Sequence, residues 1–294
     1  MSKCVVIEDG RVIKTCNNVL WDGLWSKMKV DGPIMKYILA CIPKNCIMVI
    51  PQSDGNTCRS KESSIQWDEE IQPYIDEAKE KNKTFILGTL SQVVIEPDIN
   101  YFYIPLDDDL FMNGTSMYFS YIPWNDKKDS LIWRGGCSGI GGNQSLRVRF
   151  VDTLYGYPGA ENVKLSWWWS EGKNINTNYF ADRIHYTEML KHKIFFIVDG
   201  NVIASNHMWG FACNAVPFLI SNGTCWFSQL ITPYVHYIPV NYNLDNLIEQ
   251  IEWVKNNDKE AEKIAANAYL FSTTYFSSSY QHNYIKETLT SYTY

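Results

Sequence analysis

A run of glycines set between a strand and a helix constrains this chain more than any other feature. Ser130-Leu131-Ile132-Trp133 is a short apolar stretch of strand character, and a helix is expected from about Gln144 to Leu154. Between them stands Arg134-Gly135-Gly136-Cys137-Ser138-Gly139-Ile140-Gly141-Gly142. A loop of this kind leaves the carboxyl end of a strand and aims backbone N–H groups at whatever sits before the helix, which is where α/β sheets take their ligands. Glycine lets phosphate oxygens approach the backbone closely, and Arg134 and Arg147 bring positive charge to the same segment. The plainer alternative is a tight turn that needs glycine for its dihedral angles alone.

The remainder alternates strand-like and helix-like stretches, as an α/β chain does. Val5 to Thr15 predicts a hairpin around Asp9-Gly10, and Pro33 to Ile42 a helix opened by proline. Cys46 to Ile50 and Thr84 to Leu87 read as buried strands, with a polar helix from Asp68 to Lys83 between them. Residues 96–126 show no clean period and read as loops and a crossing. Past the glycine loop, Val163–Trp168, Ile194–Val198 and Val216–Ile220 read as strands, and Ala204–Cys213 as a helix. Leu244, Leu247, Ile248 and Ile251 recur at helical spacing behind Asn243 as a cap; Asp258 caps a second, Ala-rich helix. The expected domains are 1–122 and 123–273, with a C-terminal helix, 274–294, rejoining the first.

Several function classes fall away on composition and motif. With 26 basic against 32 acidic residues the net charge is −6, which gives no footprint for nucleic acid. No segment has the apolar length of a membrane span, and the acidic residues Glu8 and Asp9 interrupt any signal-peptide core, so a cytoplasmic location is expected. The eight cysteines are scattered without a C-x-x-C pair, which leaves zinc unsupported. Gly135, Gly139 and Gly141 match the glycine spacing of short-chain dehydrogenases, but a whole candidate domain precedes them and Tyr186 is followed by Leu190 where that chemistry needs lysine. No P-loop is present.

Downstream, Ile197-Val198-Asp199-Gly200-Asn201 is followed by Ala204-Ser205-Asn206-His207, then by Thr232-Pro233-Tyr234-Val235-His236-Tyr237-Ile238-Pro239-Val240, and finally by Asn257-Asp258. In this order and spacing, over about 80 residues, the chain resembles glycosyltransferase family 90, the Rumi-like and capsule-associated sugar transferases; Trp133-Arg134-Gly135 with Ser138 and Arg147 looks like the same family's F-R-G-x-x-T/S…R loop. The resemblance implies a GT-B architecture of two Rossmann-like domains facing each other across a cleft. It also implies inverting transfer of xylose or glucose from UDP-xylose or UDP-glucose to a glycan or glycoprotein hydroxyl. Members lacking a signal sequence look like those of large DNA viruses. One departure stands out: the family's S-x-R step carries Arg where this chain has His207. Either the diphosphate holds His207 protonated, or Arg134 and Arg147 carry the neutralisation, or the chain binds nucleotide or carbohydrate with catalysis impaired.

Site residues follow from the resemblance and the chemistry together. Inverting transfer needs a base for the acceptor hydroxyl and positive groups for the leaving diphosphate. Asp54, after the Cys46–Ile50 strand, stands where the family has its base, the alternative being a simple Asp-Gly turn. Asp98, which resembles the family's D-I-x-x-P segment on the acceptor side, is the fallback. Trp124 is a candidate to border the acceptor sugar. Arg134, Gly135, Ser138, Arg147, Asp199, Ser205 and His207 are the expected donor-binding set. With protein cations serving the diphosphate, no metal and no cofactor beyond the sugar nucleotide is expected. Trp167-Trp168-Trp169 and Trp226 read first as core, and Asp107-Asp108-Asp109 as a solvated loop.

Overall fold

The computed structural model describes residues 4–15, 19–22, 27–29, 32–51, 67–92, 95–105, 121–166, 174–204 and 206–292. The chain divides into two α/β units: 1–115 with 223–228 and 277–294, and 116–222 with 229–276. Among the described residues no helix is long and apolar enough to cross a membrane.

The first unit is built on a five-stranded sheet of β1 (Cys4–Glu8), β2 (Arg11–Lys14), β3 (Cys46–Pro51), β4 (Thr84–Thr89) and β5 (Asn100–Tyr103), in the order β2-β1-β3-β4-β5. The β1–β2 hairpin turns on Asp9 and Gly10, both at positive φ (50° and 79°), the conformation a two-residue turn needs to follow strand twist. From β3 onward the strands run parallel, and both faces are covered. Val5, Ile7, Met48 and Ile50 face α1 (Pro33–Cys41) and the C-terminal helix Ser278–Ser291. Their alternates Cys4, Val6, Ile47 and Val49 face Trp67, Ile71 and the helix α2 (Gln72–Glu80). Tyr284 and Tyr292 of the C-terminal segment donate to the carbonyls of Tyr103 and Tyr101, at 2.9 and 2.6 Å, which pins that helix to β5.

The second unit carries a wholly parallel sheet: β6 (Lys128–Gly135), β7 (Asn162–Ser166), β8 (Phe180–Ala181), β9 (His192–Val198), β10 (Val216–Ile220) and β11 (Ile238–Pro239). Their order is β8-β7-β6-β9-β10-β11, the doubly wound arrangement in which the chain steps one way from β6 and then returns to step the other way. Rings tie α3 (Leu146–Thr153) to this sheet through Trp133–Phe150, Phe150–Phe196 and Phe196–Phe218, with centroids 5.4, 4.9 and 5.1 Å apart and near edge-to-face. Each such pair contributes about 0.5–1.5 kcal/mol beyond the area it buries. The opposite face packs Phe195 against Trp209 of the short helix α4 (Asn206–Gly210), while α5 (Leu247–Asn256) and α6 (Asp258–Tyr275) complete the α3 side.

Differences from the sequence expectation have local causes. The polar helix expected over 68–83 is a turn at Trp67–Glu70 followed by α2, broken at Ile71 ahead of Pro73. The helix expected behind Asn243 begins at Leu247, because Leu244 is left-handed at φ 70°. Asp258 opens α6 but spends its carboxylate on Trp124 Nε1 (3.1 Å) and Lys193 Nζ (2.9 Å) rather than on a cap.

Lys127, just ahead of β6, is 6% exposed and donates to the carbonyls of Leu190 and Cys213. Burial lowers its amine from 10.5 to about 8. Between those values the unfolded chain holds a proton that the folded chain does not. Stability therefore rises with pH across that window, by at most about 1.4 kcal/mol per pH unit. The stability difference between the wild type and Lys127→Gln should shift in favour of the wild type from pH 8 to 10.5; a difference that stays constant over that range would refute the assignment.

Candidate functional site at the second unit's switch point

Parallel pairing brings the carboxyl ends of β6, β9 and β10 side by side, and the winding reverses between β6 and β9. In open α/β sheets that reversal opens a crevice in which ligands bind. The glycine loop leaves β6 there. Gly135, the last residue of β6, lies against the Trp133 ring so closely that a Cβ would stand 2.5 Å from it. Gly139 and Gly141 hold φ of 141° and 99°, which folds the loop back onto buried Ser145 at the head of α3.

Arg147 organises this loop. It reaches from the first turn of α3 to both neighbouring strand ends: Nε donates to the carbonyls of Val198 and Asp199 (both 3.2 Å) and Nη2 to Val198 O (3.1 Å). Nη1 donates to Gly136 O (3.3 Å) and Ser138 Oγ (2.8 Å). The guanidinium also stands 5.8 Å from the Trp133 ring centre. Gly200 makes room for it, since a Cβ there would meet Ser138 Oγ at 3.0 Å and Arg147 Cζ at 3.1 Å. Burial pulls the guanidinium down to about 10, against the nearby Asp199 carboxylate, so it remains a cation at neutral pH. Most of its donors are committed to the protein, which makes it a clamp joining the glycine loop to the β9 turn.

Arg134 is the reverse case. Its neighbour Trp133 faces α3, so strand alternation puts Arg134 on the other face, at the mouth of β6. Its Nε and Nη1 are buried and meet no acceptor among the described residues. Burial lowers its pKa, opposed by the charge of Asp182 beyond the end of β8. Buried, unmet donors on a half-buried guanidinium are costly, and an anion at the crevice would satisfy them.

Behind the loop, Asp199 and His207 form a buried pair, 3% and 2% exposed. Asp199 Oδ2 accepts from Ser221 Oγ (2.6 Å) and from the Asn222 N–H (3.2 Å), tying the β9 turn to the end of β10. His207 Nδ1 lies 3.0 Å from Ala204 O, an acceptor only, so that nitrogen carries the proton. Burial lowers the His207 pKa, with Asp199 opposing and Arg147 adding to the effect.

Of the expected donor-binding residues, Arg134, Gly135, Ser138, Arg147, Asp199 and His207 gather at this switch point; Ser205 lies outside the described residues. Asp199 and His207 sit beneath the surface, and Ser138 is engaged by Arg147. On the acceptor side, Asp54 also lies outside the described residues, as do Asp107–Asp109 and Trp167–Trp169. Asp98 is exposed in the turn ahead of β5. Trp124 is 3% exposed at the amino ends of β6 and β9, under the Lys193 ammonium at 4.8 Å, which is the end of the strands away from the glycine loop. Trp226 is buried in the first unit against Tyr284. Gly200, Ser221 and Asn222 were not singled out as site residues in sequence: the Asp-Gly-Asn run read as a turn, and nothing marks which strand ends will meet.

Comparison with known proteins bears on the same stretch. Residues 116–294 match the family described as Glycosyl transferase family 90, which takes in every described residue of the switch-point site. Uncharacterized protein 179R of Invertebrate iridescent virus 6 is 28% identical, covering 53% of this chain and 16% of its own length. Protein O-glucosyltransferase 1 of Homo sapiens is 26% identical, covering 55% and 41% respectively. The chain thus spans less than half the length of either curated relative. A solved structure described as the GtfA/B complex superposes with a TM-score of 0.45 at 12% identity, over 83% of this chain and 52% of that one, too distant to argue from. With the family matched over more than half of its residues, the chain belongs to glycosyltransferase family 90.

Proposed function

We propose that this protein moves glucose or xylose from a UDP-sugar to a hydroxyl of a glycan or glycoprotein, with inversion and with protein cations in place of a metal. One observation carries the reading: the half-buried Arg134, whose buried Nε and Nη1 meet no acceptor among the described residues, stands beside a glycine loop at a sheet's switch point. In this reading the diphosphate lies along the loop's N–H groups and against Arg134, which stabilises the charge that grows on the leaving UDP. Arg147 holds the loop in shape. The GT-B arrangement belongs to the same reading, with Asp54 of the first unit offered as the base toward the acceptor hydroxyl. The human relative's name, an O-glucosyltransferase, favours glucose over xylose.

Incubation with a panel of UDP-sugars, followed by UDP release, tests it. Slow donor hydrolysis is expected with UDP-glucose or UDP-xylose, and Asp54→Asn should abolish it. Binding without release would leave a nucleotide-binding protein. Protection from heating by NAD but not UDP would instead favour a dehydrogenase and overturn the proposal.

A further inference from the structure

The Asp199–His207 pair has a feature that nucleotide binding by itself does not explain. His207 Nε2 and Asp199 Oδ1 face each other at 3.7 Å, and neither has a hydrogen-bond partner among the described residues. With the proton on Nδ1, a neutral ring turns a lone pair toward a carboxylate oxygen, so two acceptors confront each other in a buried site. A second proton on the ring would convert this contact into a charge-assisted N–H···O bond after a closure of less than about 1 Å.

We propose that His207 takes up one proton from solvent when a nucleotide diphosphate settles on the glycine loop, and that the resulting imidazolium closes onto Asp199 and fixes the turn on which Arg147 rests. The inference rests on the donor-binding reading above. In the free protein two influences keep the ring neutral: burial, and the Arg147 guanidinium on the α3 side. Asp199, at the end of β9, pulls the other way. The remaining titratable groups of β9 near its start, His192 and Lys193, stand at the far end of the strand. On the turn Phe211–Cys213, which packs against α4, the Cys213 thiol is pushed up to about 12 by burial and stays neutral. An anion on the loop would offset Arg147 and favour a cation behind it. The binding turn would feel the result directly, because Asp199 O and Val198 O are both acceptors of Arg147, and Gly200 abuts it.

The ring is thus a positioning residue, and its signature is proton uptake. Calorimetry with UDP-glucose, whose diphosphate has no group titrating near neutrality, would be run at pH 7 in PIPES and in Tris, buffers of different ionisation enthalpy. Net uptake approaching ~1 proton per ligand is expected, and affinity should rise as pH falls, by up to about tenfold per unit between the free and bound pKa values of His207. Uptake should vanish in His207→Gln and in Asp199→Asn. In the wild-type protein, nitrogen-detected NMR should show His207 pass from the Nδ1–H tautomer to imidazolium on binding. UDP-glucose binding without uptake, uptake that persists in both variants, or a ring still neutral in the complex would overturn the inference while leaving donor binding intact. No binding by the wild type would instead bring down the donor reading and this inference with it.

Discussion

Arg134→Met is expected to reduce UDP release about 100- to 1000-fold while leaving the melting midpoint of the ligand-free protein unchanged or raised. The two halves of that expectation come from the same geometry. Nε and Nη1 are buried and meet no acceptor among the described residues, so in the free protein the charge opposes folding and its removal relieves a desolvation cost. In the proposed reaction the same donors would meet the charge developing on the leaving UDP, and loss of one such donor group in a water-excluded site typically costs about 2.7–4 kcal/mol of transition-state stabilisation. Arg134→Lys should recover only part of the rate, because an ammonium lacks the planar fork. UDP release and thermal denaturation, measured on the same preparations, separate the roles. A variant that melts earlier and turns over normally would make Arg134 a structural residue and remove the main support for the diphosphate site.

Arg147→Met should show the opposite pattern, a protein that unfolds early. The substitution strips donors from the carbonyls of Val198, Asp199 and Gly136 and frees Ser138, all inside the β6–β9 junction. Unpaired acceptors at a buried junction, and the lost charge-assisted bonds, together predict a loss of about 3 kcal/mol or more. For a unit of this size that corresponds to a fall of roughly 6–12 °C in melting midpoint. Nucleotide affinity should drop too, since the loop would lose its tie to the β9 turn. Lysine should not rescue it, as one ammonium cannot reach both strand ends with the same fork. If Arg147→Met melted like the wild type and lost only turnover, Arg147 would face the substrate and the clamp assignment would fail.

These two arginines show what could be seen in the chain before it folds. Strands β3, β4, β9 and β10 were legible because strands of a sheet covered on both faces are almost continuously apolar: Cys46–Pro51 is buried at every position. Strand β5 was not, because Asn100-Tyr101-Phe102-Tyr103 is short, lies among Asp, Asn and Pro, and has one fully buried side chain. The break ahead of Pro73 was marked in the chain by the proline, but the late start of α5 at Leu247 was not. Leu244 has the right spacing for a helix, yet its backbone is left-handed at φ 70°.

At the site, Arg134 and the glycines were legible because strand, loop and helix start are contiguous, and local spacing specifies a strand-to-helix turn. The different tasks of the two arginines were not. Beside Gly136 and Ser138, Arg147 is occupied by acceptors 51 and 52 residues away, which reach it only because parallel pairing sets the end of β9 beside the end of β6. His207 likewise reads in sequence as a departure from a family arginine, either a donor contact or a partly buried ring packed near Trp209. Burial, the Ala204 carbonyl and the Asp199 carboxylate make it a ring facing an unmet acceptor. Sequence by itself determined the α/β class, most of the strands and the place of the glycine loop, since those follow from patterns a few residues long. Tertiary structure alone decided which charged groups are spent on the protein and which are left for a ligand. That depends on what lies opposite each side chain, and no local pattern carries it.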